Sequence, residues 1–144
     1  VRVVERGGDL DAAREAYSRA LIEDLSYHPA HLRLGTLALA AGDTATAVQE
    51  LALAVETGAD DAVARVVYAT LLARLRRVDE AQVQLQAAVA LAPYWAEPWY
   101  MLGLMRDWGA PGDATEAYRG FMQRARRDDP RRAQVEPLIA ATGG

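Results

Sequence analysis

The stretch Gly42-Asp43-Thr44-Ala45-Thr46-Ala47-Val48-Gln49-Glu50-Leu51-Ala52-Leu53-Ala54-Val55 decides how this chain reads, because it returns at a fixed interval. Ala13, Ala47 and Ala81 are each 34 residues apart, and so are Ala20, Ala54 and Ala88. Tyr17, Leu51 and Leu85 keep the same step, as do Leu21, Val55 and Val89, and Gly8-Asp9 recurs as Gly42-Asp43. A fourth copy follows at a spacing of 36, with Ala117 matching Ala81 and Phe121 matching Leu85. The two added residues fall in the turn Gly109-Ala110-Pro111-Gly112. A 34-residue period that holds two helices is the arithmetic of a helix-turn-helix solenoid.

Composition agrees with helices throughout. Of 144 residues 30 are alanine, and Leu, Arg, Glu and Gln supply much of the rest; these side chains lose little rotamer freedom in a helix. Gly7-Gly8, Pro29, Gly42, Gly58, Pro93, Pro98, the 109–112 turn and Pro130 interrupt the chain at regular intervals. The resulting expectation is a helical remnant near 1–6, then helices near 10–24, 29–41, 44–57, 61–75, 78–91, 96–108, 113–127 and 130–141. Gly35, Ala69 and Gly103 on the first helices, and Ala47, Ala81 and Ala117 on the second, allow close approach of helix backbones. The last segment reads as a capping helix with Val135, Leu138 and Ile139 on one face and Pro137 weakening it. The first repeat starts partway through its first helix, and the chain starts at Val1 rather than Met, so a longer precursor is expected.

These residues resemble the tetratricopeptide repeat (TPR) family over essentially the whole chain. Trp99, Leu102 and Gly103 match the family's first-helix pattern. Leu34, Gly35, Gly42, Ala47, Leu51 and Ala54 match it one repeat earlier, and Ala81, Leu85, Ala88 and Pro93 in the middle repeat. The resemblance implies an all-α, right-handed α-solenoid of TPR helix-turn-helix repeats. The expected layout is one domain over 1–144, with a partial repeat near 1–27, three full repeats near 28–61, 62–95 and 96–129, and a cap at 130–141.

Chemistry has little to work with. There is no cysteine, lysine or asparagine, so thiol chemistry, a cysteine zinc site and a phosphate loop with its lysine are all excluded. Ser18 and Ser26 lie outside any Gly-x-Ser-x-Gly context. His28 and His31 are the only histidines, and His31 falls on the packing position held by Trp99 in a later repeat. No catalytic residue, metal site or cofactor is expected, and the protein reads as a non-enzyme. A formal charge of −4 argues against holding nucleic acid by a global basic surface. No stretch reaches the roughly 18 uncharged apolar residues of a membrane helix, and Val1 to Glu5 does not read as a signal peptide. Scarce Lys, Asn, Ile and Phe point to a high-GC bacterial gene. The absence of cysteine fits the cytoplasm, the compartment expected, and fits the periplasm equally.

The resemblance implies that the first helix of each repeat lines an inner groove. Projected on this chain, the groove residues are Leu32, Thr36, Leu39, Val63, Val66, Thr70, Ala73, Tyr100, Met101 and Leu104, with Glu97 and Asp107 at its last repeat. Relatives that clamp acidic chaperone tails use Lys, Asn and Arg there. The equivalent positions here hold Leu32, Thr36, Val67, Thr70, Glu97 and Met101, which argues against that partner. The expected function is a noncatalytic scaffold that binds an apolar or amphipathic peptide or helix of a protein partner. The alternative is a self-associating homo-oligomeric module of a larger bacterial regulator or secretion machine. Trp108, beside the enlarged turn, is a candidate partner anchor. Between Arg119 and Arg132 six arginines face two aspartates, a local charge of +4. These arginines read chiefly as helix-end cations, with Arg124 and Arg127 as candidate anchors.

Overall fold

The repeating alanines are the positions that solvent does not reach. Ala47, Ala54, Ala81, Ala88 and Ala117 are fully shielded, and so are the larger lattice residues Leu51, Leu85 and Phe121. An alanine at a helix contact lets the neighbouring backbone approach. At about 25 cal/mol per Å2 its own area contributes little, so the Leu, Phe and Tyr side chains between the alanines carry most of the burial.

The computed structural model describes residues 10–23 and 27–142; the expected remnant at 1–6 lies outside them. Among the described residues the chain is all-helical: α1 (Leu10–Glu23), α2 (His28–Ala40), α3 (Thr44–Thr57), α4 (Ala62–Arg74), α5 (Val78–Leu91), α6 (Ala96–Asp107), α7 (Ala114–Arg124) and α8 (Arg131–Ala141). The helix ends expected from the sequence agree to within a residue, except that α7 stops at Arg124 and not near 127. Its last carbonyls explain this: Arg132 Nη1 donates to Met122 O at 2.9 Å and to Ala125 O at 3.2 Å, so a side chain from α8 closes the helix. Aspartates cap several starts. Asp43, Asp61 and Asp113 accept from the amides of Thr46, Ala64 and Thr115.

The chain forms two compact units that meet at Tyr68 and Ala69 in sequence. In the first, α2 packs on α1 and on α3. Gly35 makes the second contact possible, since a Cβ there would lie 2.6 Å from Leu51 Cγ. His31 is buried, its Nδ1 2.7 Å from Glu50 Oε2, and His28 Nε2 lies 3.3 Å from Asp61 Oδ2.

In the second unit α5 packs on α6, α6 on α7 and α7 on α8. Tyr118, Phe121 and Val135 form its buried cluster, with Trp99, Tyr100 and Ile139 against it. Val135 brings α8 over this core, as expected of a cap, while Leu138 is exposed and Pro137 sits within the helix. Tyr118 OH donates to Asp107 Oδ2 at 2.6 Å. Burial, and then that bond, push the phenol far above its usual pKa. The enlarged turn is tied down by polar contacts. Gln82 Nε2 donates to Pro111 O at 2.7 Å, and Arg106 donates to Gln82 Oε1 and to Asp113 O, each at 3.0 Å.

Three helix ends share one turn geometry, in which a backbone amide reaches back five residues in the helix C-cap pattern. Asp43 N donates to Ala38 O, Arg77 N to Leu72 O and Ala110 N to Met105 O, each at 2.9 Å. The residue before each of these amides has positive φ: 79° at Gly42, 61° at Arg76 and 116° at Gly109. Two of the three are glycine, as this backbone demands.

Gly103 supplies the second unit's close approach, for a Cβ there would lie 2.2 Å from the Tyr118 ring. Gly103→Ala gains about 1 kcal/mol of helix propensity. Overpacking a ring that is both buried and hydrogen-bonded costs about 1–3 kcal/mol. The expected outcome is a net loss of stability, read as a lower urea midpoint; a midpoint raised to the full propensity gain would show that the ring yields freely.

Candidate functional site

Two first helices of the repeat lattice bring the expected groove residues together in the second unit. Thr70 and Ala73 stand one turn apart on α4, and Met101, Leu104, Met105 and Trp108 follow the i, i+3, i+4, i+7 rhythm of one α6 face. Together with Arg74 and Arg76 they line a cavity of about 320 Å3. Met105 is buried at its base, Met101 and Leu104 are half-buried, and Trp108 remains 46% exposed. Methionine adapts its shape to varied apolar groups, so this lining suits an inserted apolar side chain better than a fixed polar reactant.

The other expected groove residues have their own places. Leu32, Thr36 and Leu39 are half-buried on α2, where Thr36 Oγ1 donates to Leu32 O at 2.8 Å. On α4, Val63 is more than half exposed and Val66 is buried. Tyr100 lies outside the cavity lining. Its ring is 5.4 Å from Phe121 and 6.4 Å from Tyr118, within the α7 cluster. Glu97 pairs with Arg131, and Asp107 takes the Tyr118 hydroxyl.

Arg74, Arg76 and Met105 were not among the expected site residues. Met105 follows from Met101 by one helical turn. Arg76 stands 34 residues after Gly42, so the repeat itself signals it as an arginine in a glycine's place. A side chain in the left-handed region costs about 1–2 kcal/mol. The guanidinium lies 4.5 Å from the Trp108 ring centroid, a contact that stabilises an exposed pair by about 0.5–1 kcal/mol. The contact offsets part or all of that cost.

The C-terminal arginines are largely occupied within the fold. Arg124 lies 4.4 Å over the Trp99 ring, donates from Nη1 to Gly120 O at 2.9 Å and from Nε to Pro93 O. Arg131 grips Asp129 at 2.9 Å, reaches Glu97, and covers the rings of Tyr100 and Phe121. Arg126 pairs with Asp128 at 3.4 Å. Arg127 is exposed. A second cavity of about 390 Å3, lined by Trp99, Glu116, Arg119, Gln123 and Arg124 among others, is the more polar of the two. Among the described residues no three His, Asp or Glu side chains gather as a metal site, and no helix is long and apolar enough to cross a membrane.

No protein-family model and no curated protein matches the chain. Solved structures do. MamA is similar at 28% identity, over 82% of this chain and 70% of that one, with a TM-score of 0.72. PilF of Pseudomonas aeruginosa is similar at 23% identity, over 95% of this chain and 70% of that one, at 0.73. YrrB, described as a TPR protein with an unusual peptide-binding site, is similar at 22% identity, over 83% of this chain and 62% of that one, at 0.69. The chain thus spans less than two thirds of YrrB's length.

The Asp129–Arg131 pair makes a pH-dependent contact at the start of α8. The Arg131 side chain, then its amide, hold the Asp129 carboxyl down to about 2, below its unfolded value of about 3.9. The depressed pKa places this stabilisation fully above about pH 4 and removes it as pH falls through about 2. In urea titrations across that window, Asp129→Asn should flatten the decline in midpoint. An unchanged profile would show that the contact contributes nothing.

Proposed function

The chain has the tetratricopeptide-repeat fold, and from that premise we propose that it is a noncatalytic protein-interaction scaffold. Its partner presents an apolar or amphipathic peptide or helix, and the α4–α6 cavity seats one of that segment's apolar side chains. The observation that carries this reading is the convergence of Thr70, Ala73, Met101, Leu104 and Trp108 on one apolar hollow. The repeat pattern selects four of these as groove residues, and Trp108 is the anchor candidate beside the enlarged turn. A half-exposed tryptophan beside soft apolar side chains is the composition of an interface hot spot. By the same register Leu32, Thr36, Leu39, Val63 and Val66 are proposed to serve the first unit. Tyr100 is set aside as a groove residue and Arg124 as an anchor, because contacts within the fold already occupy them; Arg127, which is exposed, is kept as a proposed anchor.

The likeness to YrrB supports peptide binding as the mode, since that protein is described by its peptide-binding site. The absence of a nucleophile–base pair among the side chains of the cavity supports the noncatalytic part of the reading.

The test uses a labelled amphipathic peptide of about twelve residues as probe, followed by anisotropy. Leu104→Glu should weaken its binding by at least about tenfold, roughly 1.4 kcal/mol, with the far-UV helical signal retained. Leu104 is only half-buried, so the variant tests the surface and not the fold. Unchanged binding would remove the α4–α6 cavity from the interface.

A further inference from the structure

We propose that the α4–α6 cavity selects an acidic partner segment, in which an apolar side chain enters the hollow and a neighbouring Asp or Glu is held by Arg76 and Arg74. This rests on the peptide-binding reading above and adds the chemistry of the partner.

The turn backbone carries the first part of the argument. In the other two turns of this geometry the positive-φ residue is Gly42 or Gly109; here it is Arg76, at 61°. Residues held at positive φ cluster at ligand-binding and other functional sites. The position of the side chain indicates its use. Its guanidinium lies against Trp108 and lines the same cavity that the ring lines. A guanidinium that lies over an aromatic ring retains N–H donors, and their fork matches a carboxylate.

Charge carries the second part. Five described arginines pair with acids within the fold: Arg14 with Asp11, Arg19 with Glu15, Arg77 with Glu80, Arg126 with Asp128, and Arg131 with Asp129 and Glu97; Arg106, Arg124 and Arg132 donate to amide or carbonyl oxygens. Arg74 and Arg76 are exposed and line the cavity, and among the described residues neither is paired with a carboxylate. Asp107, the acid on the adjoining end of α6, is engaged by the Tyr118 hydroxyl. Two uncompensated cations beside an apolar hollow, on a chain of net charge −4, form a local complement to an acidic segment.

The experiment compares two amidated, labelled peptides that differ only in the residues flanking a single Phe, Glu in one and Gln in the other. The intact chain should bind the Glu peptide at least about tenfold more tightly at low salt, with the margin shrinking as salt rises. Arg76→Gly is the informative variant because glycine suits the turn. It should melt no lower than the parent, yet reduce the preference to within about twofold. Retention of the tenfold preference in Arg76→Gly overturns the proposal, and so does equal binding of the two peptides to the parent chain. If both bind equally and Leu104→Glu abolishes both, the groove stands and acid recognition falls. If neither binds, both readings fall.

Discussion

Close packing of one helix's side chains onto the glycine and alanine positions of its neighbour is the constraint on which the rest depends. Where Gly35 meets Leu51, and where Gly103 meets Tyr118, there is no room for a Cβ. The shielded alanines at 47, 81 and 117 continue the same requirement along the second helices. Gly35, Ala69 and Gly103 fall 34 residues apart, so the small residue of each first helix recurs at the same place in its repeat. The α4–α6 cavity is a product of that repetition. Met101, Leu104 and Met105 line it because Gly103 and Leu102 are committed to the packing side of the same helix.

The turns transmit a second constraint. Each of three helices ends with a backbone bond that reaches back five residues and needs positive φ, and two of the three supply glycine. Arg76 breaks this rule in the turn that borders the cavity. The following turn is enlarged by two residues, pinned by Gln82 and Arg106, and follows directly on Trp108. The two irregular turns of the lattice thus place an arginine and a tryptophan in contact at one hollow. Irregularity in a repeat concentrates where the surface has a use that packing does not explain.

The helices were legible because their signals are local. Glycine, proline and capping aspartates mark the ends, and the period places the buried faces. The end of α7 was not legible, since it depends on Arg132, which reaches back from α8 to the carbonyls of Met122 and Ala125. At the site, register identified Thr70, Ala73, Met101 and Leu104. It also named Tyr100, which stands outside the cavity and keeps to the α7 ring cluster. An outward position in the period does not distinguish facing one neighbour from facing another. Arg76 was visible only as a residue in a glycine's place, a signal that becomes meaningful once its φ is known.

The most direct test is a nitrogen–proton spectrum of the chain titrated with the Glu-flanked peptide. The expected result is that the largest shifts fall on the amides of Thr70, Met101 and Leu104 and on the Trp108 indole N–H. Shifts concentrated on Trp99, Arg119 and Gln123, the lining of the more polar cavity, would contradict the account.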